Sequence, residues 1–285
     1  MKNKSRLSAK RRAYSYILTG FIWLCVALVT ALLTVLLGYI LFRGIGHITW
    51  PLLSEARSAL RGTIGILPNL LYTLYIIFTA LIIALPIGIG AAIFLNEYAT
   101  SRKLVRFIEF VIETLAGIPS IIYGLVGFLI FVRLMGRPNI LAGALTLSIL
   151  ILPTLVRTTQ EALKTVPNSY REGSVALGAT KWHTIRTIIL PSSLDGIVGG
   201  IVLAIGRMVG ESAALLFTAG VGHALVVNYF DALQTSGGTL TVALFLYVTE
   251  HGEFDIGFAI ATILIFIVLI LNLGTKLIKR KLKKR

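Results

Sequence analysis

Long apolar runs separated by short polar segments dominate the chain. Six runs, at residues 14–42, 67–95, 107–134, 140–158, 194–219 and 254–277, are each at least 19 residues long. About 20 apolar residues, at a rise of 1.5 Å per residue, cross the roughly 30 Å of hydrocarbon in a bilayer. Because backbone polar groups inside lipid must pair with each other, each run is predicted to be a transmembrane helix.

Two connections between these runs are longer than turns. Residues 44–66 have mixed polarity and are predicted to include an interfacial helix. The connection 221–253 contains a break at Ser236-Gly237-Gly238, followed by nine apolar residues at 240–248. Nine residues are too few to cross the membrane, so this stretch is predicted to lie at the outer mouth or to re-enter slightly.

Composition and charge support a membrane protein and set its orientation. Hydrophobic residues make up 56% of the chain and charged residues 14%, whereas soluble domains carry about 25% charged residues. Of the 27 Lys and Arg residues, 21 lie at the two ends or in the connections after the second and fourth runs. The positive-inside rule predicts both termini in the cytoplasm of a bacterial or archaeal cell, with the chain as a multi-pass protein of the inner membrane.

The net charge of +15 favours contact with anionic lipid rather than nucleic acid. The basic clusters lie beside apolar runs, where they contact lipid headgroups, and no nucleic-acid-binding module is visible. Cys25 is the only cysteine, and the four histidines lack metal-ligand spacing, so no metal site is predicted. The chain lacks the G-x-x-x-x-G-K-[ST] phosphate loop. No catalytic residue and no bound cofactor are therefore predicted for this chain.

The connection 161–191 is predicted to form two helices around a glycine. Ser169 and Glu172 have the spacing of a capping box, and Gly178 is suited to a left-handed turn. A second helix is predicted to begin near Thr180 and to end before Pro191. The product is a helix–Gly–helix elbow on the cytosolic face.

This elbow resembles the cytosolic motif of ABC importer permeases, E-A-A-x3-G-x9-I-x-L-P. Gly173 and Ser174 replace the two alanines, and the spacing to Gly178 and Pro191 is kept. The resemblance implies a coupling helix that docks on a separate ATPase subunit. The residues implied in coupling are Glu172, Gly173, Ser174, Gly178, Ala179 and Thr180. An ordinary helical hairpin between two spans is the alternative.

Two ionisable residues lie within the fifth run. Arg207 and Glu211 are four residues apart, which places them on one face of a helix, where they can pair. Since charges inside spans are costly, such residues face a cavity or a partner. One interpretation is a neutralising structural pair, and the other is a gate or transit site on an anion path, with Arg207 as the cation. Arg157 either snorkels to the membrane interface or is a second candidate, because the preceding Pro153 is predicted to break the helix and to open room for water or substrate.

Three segments are similar to permeases of phosphate-specific importers, the Pst type. They read LAGIPSIIYG at 115–124, EALKTVP at 161–167, and GESA at 210–213 before LLFTAG at 215–220. Ser212 replaces the threonine that is usual in the family and keeps its hydroxyl, and the resemblance covers residue 67 to the C-terminus. The short N-terminal region and the FTAG ending are more similar to the subunit called PstA than to its paralogue PstC.

The resemblance implies an all-α protein with six transmembrane helices and the type I ABC importer permease fold. Its core is residues 67–278, between segments 1–66 and 279–285. Expected partners are a PstC-like permease, a dimeric PstB-like ATPase that uses ATP and Mg, and an extracytoplasmic PstS-like phosphate-binding protein. Glu211 and Ser212 join the path candidates, because Glu211 is able to accept a hydrogen bond from protonated phosphate but not from sulfate. Permeases for sulfate or molybdate, a passive channel and a membrane-embedded enzyme are the alternatives.

Overall fold

The computed structural model describes residues 9–58 and 63–282. Parts of the two basic ends, residues 1–8 and 283–285, lie outside the described residues. The described helices are α1 (Ala9–Ile45), α2 (Trp50–Ser54), α3 (Leu67–Ile93), α4 (Arg102–Gly117), α5 (Ser120–Gly127), α6 (Arg133–Met135), α7 (Ile140–Lys164), α8 (Asn168–Ala176), α9 (Lys181–Thr184), α10 (Leu190–Val209), α11 (Ala213–Thr218), α12 (Tyr229–Leu233), α13 (Leu240–Thr249) and α14 (Phe254–Leu282).

Three wider, π-helical turns join or extend some of these helices. They are Phe94–Tyr98 after α3, Phe128–Val132 between α5 and α6, and Ile185–Ile189 between α9 and α10. A two-stranded antiparallel hairpin of β1 (Ala56–Ser58) and β2 (Thr63–Ile66) precedes α3. The end of the molecule that carries α8 and α9 is called the elbow end, and the opposite end of α3 is called the hairpin end.

Five continuous helical segments are long and apolar enough to span a membrane. They cover Tyr14–Ile45, Leu67–Tyr98, Ile140–Lys164, Lys181–Val209 and Phe254–Thr275. The predicted first, second, fourth and sixth spans are confirmed as apolar helices, and each helix extends beyond the predicted run. A sixth span is present only if α4 is counted together with the helices that follow it.

The predicted third span is wrong as a straight helix. The two segments Arg102–Gly117 and Ser120–Met135 meet at an angle of 98°. Ile118 has an extended backbone, with ψ of 131°, because the ring of Pro119 disfavours helical geometry in the preceding residue. The Tyr123 hydroxyl donates to the Leu115 carbonyl across the bend at 2.7 Å, which supplies a partner for a carbonyl at the end of α4.

The predicted fifth span is displaced towards the elbow end. The helix begins at Lys181 and ends at Val209, and α11 follows as a separate buried helix. The expected end before Pro191 is wrong, because the wider turn before α10 shifts the hydrogen-bond register. Leu190 N–H donates to the Ile185 carbonyl, so the missing N–H of Pro191 is accommodated at the start of α10.

The centre of the molecule is the long contact between α3 and α7. Glycines and small side chains bring the two helices close. A Cβ placed on Gly88 of α3 lies 3.0 Å from the Cβ of Leu155 in α7. The Ser148 hydroxyl donates to the Ala80 carbonyl at 3.3 Å. On the other side of α7, Gly196 of α10 packs against Ala162. The helix α7 thus lies between α3 and α10, and it continues through Pro153, so the break predicted there is wrong.

The segments at the hairpin end differ in part from prediction. Residues 44–66 contain the short helix α2 and then the hairpin, which was not predicted. The short helix predicted at 240–248 is confirmed as α13, and Leu240 N–H donates to the Thr73 hydroxyl of α3 at 2.9 Å. The helix α1 lies at the periphery, where its Ile40 carbonyl accepts from Thr262 of α14 at 3.2 Å.

Candidate functional site

The elbow has the geometry that its sequence predicts. Gly178 lies between α8 and α9 with φ of 79°, a left-handed conformation that glycine adopts without a steric cost. The Thr180 hydroxyl caps α9 by accepting from His183 N–H at 3.4 Å. The hydroxyls of Ser174 and Thr184 are 2.8 Å apart and buried, so they join the two arms of the elbow.

The predicted capping box at Ser169 is wrong. The helix α8 begins at Asn168, with Pro167 in the capping position and no side-chain cap. Ser169 therefore lies inside the first turn of the helix. The fixed φ of Pro167 and its missing N–H suit this position, which explains why the helix begins two residues earlier than predicted.

Large apolar side chains are exposed at the tip of the elbow. Leu177 is 89% exposed and Trp182 is 56% exposed. Glu172, Gly173 and Gly178 are also exposed, and a Cβ placed on Gly173 meets no atom within 4 Å. Of the predicted coupling residues, Glu172, Gly173, Gly178, Ala179 and Thr180 are therefore accessible, whereas Ser174 is buried and connects the arms.

Arg171, which was not singled out in the sequence, anchors the elbow to the spans. It forms an ion pair of 2.8 Å with Glu97 in the turn after α3. Its guanidinium also donates to the Val166 carbonyl at 2.7 Å and to the Leu163 carbonyl at 3.1 Å. Sequence offers no signal for this contact, because Glu97 and Arg171 are 74 residues apart.

Arg207 lies in the last turn of α10 and is partly buried. Its Nη1 donates to the hydroxyl of Thr154 in α7 at 3.3 Å. It also lies close enough to Tyr123 of α5 to act on it electrostatically. Among the described residues, no carboxylate lies within 4.0 Å of Arg207. The predicted pairing with Glu211 is therefore wrong.

Glu211 is occupied by the helix that follows it. Because α10 ends at Val209, Glu211 lies in a turn, and its Oε1 accepts from Ala214 N–H at 3.0 Å at the start of α11. Its carbonyl accepts from the Thr241 hydroxyl of α13 at 2.7 Å. The neighbouring Ser212 makes no side-chain cap on α11. Glu211 thus holds α11 and α13 together at the end of α10.

Arg157 lies away from Arg207 in a polar cavity at the elbow end. It pairs with Glu161 at 3.4 Å, and both side chains are mostly exposed. The cavity, of about 220 Å³, is also lined by Glu109 and Glu113 of α4 and by Lys164. Thr154 and Arg157 are three residues apart and share one side of α7, which places the cavity on the elbow side of the Arg207 contact.

A second cluster of polar groups lies at the hairpin end. Arg57 Nη1 is 2.6 Å from His251 Nε2, and its guanidinium is 5.2 Å from the Tyr247 ring centre. Burial lowers the pKa of His223, and the positive charge of Arg57 lowers that pKa further. His223 is therefore neutral at pH 7.

Long apolar helices, a bent pair of helices and an exposed elbow define a multi-pass membrane protein. A profile of the binding-protein-dependent transport system inner membrane component family matches residues 84–285. The chain belongs to this family.

The chain is 40% identical over 212 residues to the probable ABC transporter permease protein YqgI of Bacillus subtilis, covering 74% of this chain and 72% of that one. It is 31% identical over 281 residues to the phosphate transport system permease protein PstA of Pasteurella multocida, covering 97% and 94%. A subunit of a bacterial alginate ABC transporter, solved in complex with its periplasmic protein, superposes with a TM-score of 0.65 over 95% of each chain, at 16% identity. The chain therefore has the type I ABC importer permease fold.

Proposed function

We propose that this chain is the permease subunit of an ATP-driven importer for inorganic phosphate. The observation that carries the proposal is Arg207, a partly buried guanidinium whose hydrogen bond within the described residues is to a neutral hydroxyl. A charge inside a span is costly unless something compensates it. A transiently bound anion compensates the charge in this site, which faces the bend of the broken span.

The likeness to PstA of Pasteurella multocida supports phosphate as the anion. The elbow supports coupling to a separate ATPase dimer that uses ATP and Mg, because it presents exposed apolar side chains around a rigid turn. On this proposal the elbow end faces the cytoplasm and both termini are cytoplasmic, in line with the distribution of Lys and Arg. A PstC-like permease and an extracytoplasmic phosphate-binding protein complete the assembly.

On this proposal the residues of the path have different roles. Arg207 binds the anion beside Thr154, and Arg157 lies one turn nearer to the elbow end as a second cationic position. Because Glu161, Glu109 and Glu113 also line that cavity, it attracts an anion less than Arg207 does. A phosphate released from Arg207 therefore passes it without being retained. Glu211 and Ser212 form the wall of the path next to Arg207.

Uptake of radiolabelled phosphate tests the proposal. Cells that lack this gene are complemented with the unaltered chain, with Arg207→Gln, or with Arg43→Gln as a control at an exposed pair with Asp255. We expect Arg207→Gln to abolish uptake while the complex still assembles, and Arg43→Gln to leave uptake unchanged, each with excess sulfate as the competitor. Normal uptake by Arg207→Gln would contradict the gate, and competition by sulfate would make this a permease for a different oxyanion.

A further inference from the structure

The ion pair between Arg171 and Glu97 joins the elbow to the end of α3. Arg171 Nη2 is 2.8 Å from Glu97 Oε1, and Nε lies 3.2 Å from the same oxygen and 3.4 Å from the second oxygen. The two side chains are 21% and 6% exposed. The other ion pairs among the described residues, such as Arg157 with Glu161, are about half exposed or more. Solvent screening weakens exposed pairs of that kind.

The same guanidinium also holds the end of α7. It donates to the carbonyls of Leu163 and Val166, which lie at and just beyond the C-terminus of that helix. Carbonyls at this position carry partial negative charge from the helix dipole, so a cation is favoured there. One side chain of α8 is therefore fixed to two spans at once.

The other arm of the elbow contacts the same turn. The ammonium of Lys181 in α9 lies 5.2 Å from the ring centre of Tyr98, the residue next to Glu97. A groove of about 580 Å³ opens between the two arms and has Glu97, Arg171 and Lys181 in its wall. The turn after α3 thus contacts both arms of the elbow.

We propose that Arg171 and Glu97 are a positioning pair that transmits movement of the elbow to α3 and α7, an inference that rests on the proposed function. A guanidinium fork on a carboxylate fixes distance and orientation together, which a flexible ammonium does not. The helix α7 then leads from Leu163 to Thr154, nine residues and roughly 14 Å along its axis. Displacement of the elbow therefore reaches the residue that contacts Arg207 without passing through a flexible segment.

Two conservative variants in the full transporter complex test the pair. Glu97→Gln keeps a side-chain oxygen that accepts from Arg171 but removes the charge. Arg171→Lys keeps the charge but loses the fork. Arg43→Gln, at an exposed ion pair of the hairpin end, is the matched control. The measurements are copurification with the ATPase, stimulation of ATP hydrolysis by the binding protein, and phosphate transported per ATP hydrolysed in proteoliposomes.

We expect the assembled Glu97→Gln complex to transport between about 2- and 30-fold less phosphate per ATP, the range for substitutions within a coupling network. Arg171→Lys is expected to lose coupling to a similar extent, and Arg43→Gln to match the unaltered complex. Unchanged coupling in assembled Glu97→Gln would overturn the proposal, and so would failure of both variants to assemble, because the pair would then be structural. Absence of phosphate transport by the unaltered complex would instead overturn the proposed function, while stimulated hydrolysis still reports on the pair.

Discussion

Two arginines show how the same side chain serves different ends in this chain. Arg171 is satisfied by a buried carboxylate and two helix-terminal carbonyls. Arg207 makes one long hydrogen bond to a hydroxyl. An unpaired charge within a span costs about 2.5–3.5 kcal/mol on insertion scales. The charge of Arg171 is thus used to fix the structure, whereas we propose that the charge of Arg207 binds the ligand.

Two substitutions of Glu211 separate its structural role from its charge. Glu211→Ala removes the oxygen that accepts from Ala214 N–H, and loss of a cap of this kind costs about 1 kcal/mol. Glu211→Gln keeps an acceptor in the same place, so we expect it to assemble normally. We also expect Glu211→Gln to lose discrimination against sulfate. The negative charge of the carboxylate favours an anion that carries a proton, and the neutral amide lacks that charge.

The measurement is the melting temperature of the purified chain together with phosphate uptake at increasing sulfate concentration. A lower melting temperature for Glu211→Ala alone confirms the cap. Full discrimination in Glu211→Gln would show that Glu211 acts only through α11.

Among the elements, α5 and α11 depend on one close contact. A Cβ placed on Gly124 lies 2.7 Å from the Cα of Ala214, a distance at which the backbones must separate. We expect Gly124→Ala to lower the stability of the purified chain by about 1–3 kcal/mol, the usual cost of overpacking. Thermal unfolding in detergent measures this as a lower melting temperature.

Gly90→Ala is the matched control for that prediction. Gly90 also lies in a helix, and a Cβ placed there meets no atom within 4 Å. Alanine is a better helix former than glycine by roughly 0.5–1 kcal/mol, so this variant is expected to be as stable as the unaltered chain or more so. Equal losses in both variants would mean that the contact between α5 and α11 is not tight.

Prolines show why the elements were predictable only in part. Pro119, Pro153 and Pro191 all lie in or beside apolar runs, yet only the first divides a span. At Pro153, packing on α3 and α10 keeps α7 helical. At Pro191, the wider turn before α10 changes the hydrogen-bond register of the backbone. At Pro119, Tyr123 stabilises the bent form by bonding the Leu115 carbonyl. Hydrophobic length predicts that a helix exists, but tertiary contacts decide whether a proline breaks it.

At the scale of the whole molecule, the orientation of the chain in the membrane is the property to test. We expect a membrane-impermeant maleimide to label His47→Cys but not Lys103→Cys in intact spheroplasts, in a background where Cys25, the only cysteine, is replaced by serine. Both positions are exposed, and they lie at the hairpin end and the elbow end respectively. Both are expected to react after permeabilisation. Labelling of Lys103→Cys in intact spheroplasts would contradict this orientation and indicate the opposite one.

The sequence predicts the whole molecule better than it predicts the site. Apolar runs and the elbow motif are local, so the spans, Gly178 and the short helix α13 follow from neighbouring residues. Arg207 is also recognisable, as a charge in an apolar run. Its partner is not, because Thr154 is 53 residues away and α10 ends before Glu211. The pair of Arg171 and Glu97 could not be predicted for the same reason, because the two residues are 74 positions apart. The boundaries of the permease core at residues 66 and 278 stay a prediction.

The bend between α4 and α5 also has a consequence for how the chain enters the membrane. A straight apolar helix satisfies its own backbone hydrogen bonds within the bilayer, but α4 carries charged residues along its length. The partners that hold α5 in place, Thr146 and Ala214, lie further along the chain and are translated later. We therefore expect the nascent protein to keep this segment at the membrane surface while later spans insert. The contact between Gly124 and Ala214 forms only after Ala214 has left the ribosome.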